Sequence, residues 1–230
     1  MQFDRILSKF SGELPLFPLP KVVLFPGARL PLHIFEPRYR QMVSDAEENE
    51  GLIGMVCLRE RRGKTDTGNS PVHTVACLSQ IRNLQRLPDG RFLMQLQGIQ
   101  RARIREELDV QKPYRIARVD LIPDIVNPLE PVAIENLFER ALDSFNQVLR
   151  NLADLPGSLV SIQKDAPAGL LLDVLSYYLP VDSLIKQRLL EESEVHQRAR
   201  LLSRILDELA QVVPDDDTVR FRIFPKPSWN

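Results

Sequence analysis

The sequence predicts an α+β protein: a mostly antiparallel β half with one inserted helix, then an α-helical half. Three observations predict it. Up to about residue 124 the apolar residues come in short alternating runs broken by prolines and glycines. From about residue 125 they recur with helical spacing. The charge changes sign at the same place: residues 1–125 carry 19 basic and 15 acidic side chains, residues 126–230 carry 11 and 16. The expected organisation is a β subdomain over residues 1–124, a helical bundle over 125–213 and a tail over 214–230 that packs back on the body.

Six prolines fall within the first 37 residues, with Leu14, Leu16, Phe17, Leu19, Val22, Val23, Leu24 and Phe25 between them. Proline has no N–H to give to a central ladder, so this pattern reads as short strands with sharp corners. Pro26-Gly27 marks one corner, and residues 28–35 resume as a strand. A helix fits residues 37–48, with Pro37 at its first position and Tyr39, Met42, Val43 and Ala46 on one stripe. Residues 52–58 read as a buried strand with a break at Gly54, and residues 60–71 as a polar loop. Residues 72–87 are strand-like. Leu87-Pro88-Asp89-Gly90 is a turn, because Pro presets φ, Asp bonds locally and Gly supplies positive φ. Phe92, Met94 and Leu96 alternate after it, which makes a hairpin, and Gly98 permits a bend. Residues 114–121 form the last strand.

In the second half Asn127, Pro128 and Glu130 are spaced as a capping box for a helix that carries Leu137, Ala141, Phe145 and Val148 and ends at Pro156-Gly157. Asp165 caps a second helix that Pro180 stops. Asp182 caps a third to about Glu191. Ser193 starts a fourth, with Val195, Leu202, Ile205, Leu206 and Leu209 inward. Asp215-Asp216-Asp217 opens a tail holding Phe221, Ile223, Phe224 and Trp229.

Composition places the chain among globular proteins, at 43% apolar and 27% charged residues. Its apolar runs are far too short to span a bilayer, and the first residues have no signal-peptide core, so the expected location is cytoplasmic without membrane attachment. Cys57 and Cys77 have no C-x-x-C partner and read as buried free thiols.

The order of these features resembles the substrate-recognition domain that begins Lon proteases. The residues that carry the resemblance are Leu14-Pro15-Leu16-Phe17-Pro18-Leu19, Val22-Val23-Leu24-Phe25-Pro26-Gly27 and Leu30-Pro31-Leu32-His33-Ile34-Phe35-Glu36-Pro37-Arg38-Tyr39. Leu87-Pro88-Asp89-Gly90-Arg91, Gln97-Gly98-Ile99-Gln100-Arg101, Tyr114-Arg115-Ile116-Ala117-Arg118-Val119 and Lys186-Gln187-Arg188-Leu189-Leu190-Glu191 extend it from about residue 13 to about residue 210. The resemblance implies a PUA-like pseudo-barrel of six strands followed by a helical bundle. It also implies the binding of unfolded or extended polypeptide, as an adaptor or holdase in protein quality control, with a protease or an ATPase as a further partner.

Full-length Lon proteases also carry an ATPase and a Ser-Lys peptidase. Gly63-Lys64-Thr65 has the last letters of a phosphate-binding loop, but the first glycine would fall at Leu58. Lys164-Asp165-Ala166-Pro167-Ala168-Gly169 loosely matches the nucleophile segment and holds no serine. His33, His73 and His196 have no i, i+4 ligand spacing, and Cys57 would need one of them brought to it by the fold to act as a nucleophile. The expectation is no catalytic residue, no metal, no cofactor and no enzyme activity.

Candidate contacts are therefore surfaces. For polypeptide they are the apolar corner Leu24, Phe25 and Pro26 with the adjacent strand over residues 30–35, and the opening helical turn with Glu36, Arg38, Tyr39 and Arg40. Barrel core and ordinary solvated face are the competing readings of those two. The alternative is an RNA-binding module. Arg101, Arg103 and Arg105 recur every second residue on one strand face, near Arg82, Arg86 and Arg91. Glu106 and Glu107 follow at once and no aromatics interleave, which disfavours nucleic acid.

Overall fold

The prolines that crowd the first 37 residues mark where the chain turns. The computed structural model describes residues 2–59, 70–128, 131–151 and 166–211. It divides the chain into two units, Met1–Pro123 and Asp124–Asn230. The polar loop with Gly63-Lys64-Thr65, Pro156-Gly157, Asp165 and the tail from Asp215 lie outside the described residues.

The first unit runs α1 (Gln2–Leu7), β1 (Glu13–Leu19), β2 (Arg29–Ile34), α2 (Pro37–Glu47), β3 (Leu52–Cys57), β4 (Val75–Arg86), β5 (Phe92–Leu108) and β6 (Arg115–Ile122). The strand order is β2-β5-β4-β3-β1-β6, and β6 also pairs with β5. Five strands thus close into a ring, and β2 hangs outside it as an extra strand on β5. Every pairing is antiparallel except β1 with β3, where Leu16 lies opposite Gly54. β5 is long enough, at 17 residues, to serve β2 with its first half and β6 with its second. The short helix α1 carries no periodic signal that six residues could display.

Leu14, Leu16, Val56, Ala76, Leu78, Ala102, Ala117 and Val119 fill one core of the ring. Gly54 does not break β3. It lies within the strand because a Cβ there would come within 2.7 Å of the Leu14 side chain. α2 buries the stripe its spacing predicts, Tyr39, Met42, Val43 and Ala46. Cys57 and Cys77 are buried and form no disulfide.

Both predicted turns form as their residues dictate. The Phe25 carbonyl accepts from the Ala28 N–H at 3.1 Å, with Pro26 and Gly27 between them and Gly27 at φ 78. Gly27 then donates to the Gly98 carbonyl while Gly98 donates to the Ala28 carbonyl, at 3.0 and 2.9 Å. That is a turn running into a bulge that begins with a left-handed glycine. In the hairpin Gly90 has φ 79 and donates to the Leu87 carbonyl at 2.9 Å, and Leu87 donates to Arg91 at 2.8 Å.

The second unit holds α3 (Pro131–Asn151), α4 (Ala168–Tyr178), α5 (Ser183–Glu191) and α6 (Val195–Gln211). The described part of α3 begins at Pro131, and Glu130, the far end of the expected capping box, lies outside the described residues. Ile134, Phe138, Ala141, Phe145 and Val148 form the buried face of α3, and its main neighbour is α6. α4 has Pro167 at its N-cap position. Asp182 caps α5 as expected, accepting from the Leu184 N–H at 2.7 Å. α6 is capped by Glu194, not Ser193: its carboxylate accepts from the N–H groups of His196 and Gln197 at 3.1 and 2.9 Å.

Arg198 ties this unit together. Its side chain is fully buried and donates to the carbonyl of Glu192 and the carboxylate of Asp124 at 2.7 and 2.8 Å, and to the Gly169 carbonyl at 3.3 Å. Its Nε lies 3.2 Å from buried Asp173 as an ion pair rather than an aligned hydrogen bond. Among the described residues no helix is long and apolar enough to cross a membrane.

Candidate functional site

The corner Leu24-Phe25-Pro26 packs inward. Leu24 and Phe25 are wholly buried and Pro26 is buried with them, so none presents a side chain to a ligand. The Gly98 backbone is the reason: it clamps the corner from both sides through the bonds just described. Tyr39 is also buried, set edge to face against Phe17 with ring centres 4.5 Å apart. The charged residues around it are half-exposed and internally engaged. Arg38 pairs with Glu36 at 2.9 Å and stacks its guanidinium 4.5 Å over Tyr39. Arg40 lies over the hairpin turn, where a Cβ at Gly90 would meet its guanidinium at 2.2 Å.

The arginine row of β5 is broken up. Alternation puts Arg101, Arg103 and Arg105 on one face, yet Arg101 is 2% exposed and Arg105 is ion-paired with Asp120. Of the three, Arg103 is exposed and makes no ion pair among the described residues, although Asp120 lies opposite it on β6. Alternation assigns a side chain to a face but does not say whether that face is covered. The three do not form the continuous basic patch that phosphate binding would use.

What is exposed lies along β2. The Ala28 carbonyl points to β5, so strand parity turns Leu30, Leu32 and Ile34 toward β5. Arg29, Pro31, His33 and Phe35 then aim their backbone groups at the opposite edge, and their side chains are exposed. Pro31 fits there because the N–H it lacks is one β5 does not need. Phe35 is 50% exposed, and Leu93, on β5 opposite His33, is 40% exposed. The His33 and Phe35 rings lie 6.0 Å apart. Sequence reading included residues 30–35 but passed over Leu93; its signal is an apolar residue at the outward place between Phe92 and Met94.

α2 beside this edge is fixed by Asp45. Its carboxylate accepts from the hydroxyl of Tyr114 at 2.5 Å, from Lys112 at 2.8 Å and from Gln41 at 2.6 Å. The Lys112 and Tyr114 hydrogen bonds hold its pKa down to about 2, and burial together with Asp45 pushes the Tyr114 hydroxyl up. Among the described residues no group of His, Cys, Asp or Glu side chains has the arrangement of a metal site, and Cys57 is buried away from attack on a substrate.

The ATP-dependent protease La (LON) substrate-binding domain family matches residues 13–208. The chain belongs to the Lon substrate-binding domain family. The match is to that domain, not to the protease or ATPase domains of Lon proteases. Lon protease of Parabacteroides distasonis is 28% identical over 212 residues, 92% of this chain and 26% of that protein. Lon protease 2 of Herpetosiphon aurantiacus is 30% identical over 212 residues, 91% of this chain and 25% of that protein. This Lon domain therefore spans about a quarter of the length of these relatives. Among solved structures, the N-terminal domain of Mycobacterium avium complex Lon protease superposes with a TM-score of 0.61 at 19% identity, covering 85% of this chain and 98% of that one. A Lon N-terminal domain protein from Xanthomonas campestris gives 0.55 at 24% identity, covering 83% and 96%. They share the fold this Lon domain adopts, a mixed pseudo-barrel with one inserted helix followed by helices.

Proposed function

We propose that this Lon domain recognises polypeptide without chemistry of its own and takes an extended segment along the outer edge of β2. The observation that carries the reading is an exposed edge strand flanked by exposed apolar side chains. Outward N–H groups at His33 and Phe35 and outward carbonyls at Pro31 and His33 offer main-chain hydrogen bonds to any sequence. Phe35 and Leu93 add apolar contact, and Glu36, Arg38 and Arg40 border it. The gap left by Pro31 keeps the edge from pairing indiscriminately with its like. In the cytoplasm such a domain acts as an adaptor or weak holdase that passes clients to a protease or ATPase partner.

Photo-crosslinking the purified chain to unfolded client proteins tests the reading. Capture above that of an unrelated globular control is expected, with a loss of about tenfold in Phe35→Glu/Leu93→Glu, the scale of two lost apolar contacts. Capture no better than the control, or untouched by the double substitution, refutes it.

A further inference from the structure

A groove of about 180 Å³ runs between α5 and α6 in the helical unit, lined by Ile185, Arg188, Leu201, Arg204, Ile205 and Glu208. Its floor is apolar: Ile185, Leu201 and Ile205 are half-buried. Its walls are charged and exposed, and neither Arg188 nor Arg204 is ion-paired among the described residues. Two unneutralised arginines over an apolar floor call for an occupant with carboxylates next to an apolar face.

The chain supplies such a segment immediately after α6. Residues 212–230, outside the described residues, begin Val212-Val213-Pro214 and continue Asp215-Asp216-Asp217-Thr218-Val219-Arg220-Phe221-Arg222-Ile223. Pro214 cannot extend a helix. Val219, Phe221 and Ile223 alternate with polar residues, so in an extended chain they share one face. At a rise of about 1.5 Å per residue, Arg204 lies about 10 Å and Leu201 about 15 Å back along α6 from Gln211. A chain that reverses at Pro214 and returns at about 3.3 Å per residue draws level with Arg204 near Asp217 and with Leu201 near Val219. Acid meets arginine, and Val219 meets the floor. Glu208 lies level with Asp215 and opposes it, so the attraction rests on Arg204 and Arg188.

We propose that residues 215–219 of the same chain dock in the α5–α6 groove, the aspartates against Arg204 and Arg188 and Val219 over Leu201. The groove is then filled from within, and its exposed lining is not a surface for foreign partners. This stands apart from the reading of β2, which lies in the other unit.

The segment carries its own reporters. Phe221 is a chymotryptic site, and Trp229 is the only tryptophan in the chain. The full chain is digested with dilute chymotrypsin while acrylamide quenching of Trp229 is followed. Slow cleavage after Phe221 is expected, rising about tenfold in Arg188→Glu/Arg204→Glu as two ion pairs become repulsions. Adding Asp215→Lys, Asp216→Lys and Asp217→Lys to that variant restores protection, which a merely misfolded variant would not allow. Equal cleavage in all three chains, or protection that the charge exchange fails to restore, overturns the proposal. Protection that disappears on dilution also overturns it, because the occupant is then a second copy's segment.

Discussion

Gly98→Ala tests the reasoning about the first unit most sharply. A Cβ at residue 98 would lie 2.1 Å from the Phe25 carbonyl oxygen, 2.8 Å from its carbon and 3.0 Å from the Cys77 sulfur. Ordinary contact begins near 3.4 Å, so the corner would have to retreat by more than 1 Å. It cannot retreat freely, since Gly98 holds it through hydrogen bonds to Gly27 and Ala28 at 3.0 and 2.9 Å. Overpacking costs about 1–3 kcal/mol and each lost hydrogen bond about 0.5–1.5 kcal/mol, which puts the substitution near 4 kcal/mol. The unit spans Met1–Pro123. At about 2.1 cal/mol/K of unfolding entropy per residue, each kcal/mol lowers its Tm by about 4 °C, giving a fall of roughly 15 °C. Calorimetry of the full chain resolves that shift, with Gln100→Ala on the same strand expected to change little. A Gly98→Ala protein melting within about 2 °C of the native one, well inside the scatter of a neutral substitution, would refute the close approach.

Three further outcomes follow from buried or paired charges. Arg198→Met strips Asp173 of its cation and three oxygens of their donor, and should cost about 3–5 kcal/mol in guanidinium unfolding followed by helical circular dichroism, with part recovered in Arg198→Met/Asp173→Leu. Asp45, held down to about 2, adds stability that is complete above pH 4 and fades as pH falls toward 2; acid titration of Asp45→Asn should lack that fading component. Burial lowers the Lys186 pKa to about 8, so its charge opposes folding below pH 8, and stability rises as pH climbs from 8 toward 10. Lys186→Met should be the more stable chain at pH 7 and lose that rise, read by thermal melts below pH 10, a range in which Tyr177, pushed up to about 12 chiefly by burial, does not ionise.

Local chemistry was legible where one residue type has one use. Pro88-Asp89-Gly90 makes its turn, Asp182 caps α5, and α2 buries the stripe its spacing predicts. Choices that tertiary contacts make were not legible. Ser193 is a better cap by type than the Glu194 that does the capping. The candidate site divided the same way. Residues 30–35 were in view as a strand, but the burial of Leu24, Phe25, Pro26 and Tyr39 depends on Gly98 and Phe17, which no periodicity connects to them. Arg101 looked like a surface arginine because alternation carries no information about what lies above a sheet.

The pairing of β1 with both β3 and β6 sets an order on how the unit can form. Glu13 on β1 finds its partner Arg118 on β6 about 100 residues later. A ribosome adding about 5–20 residues per second delivers that partner some 5–20 s after β1 emerges. During that interval the hairpin of β4 and β5 can form from neighbouring residues, while the ring cannot close. Leu14 and Leu16, fully buried in the finished core, thus lack part of their cover until β6 arrives. Until then the nascent chain displays the kind of extended apolar segment that a chaperone would hold.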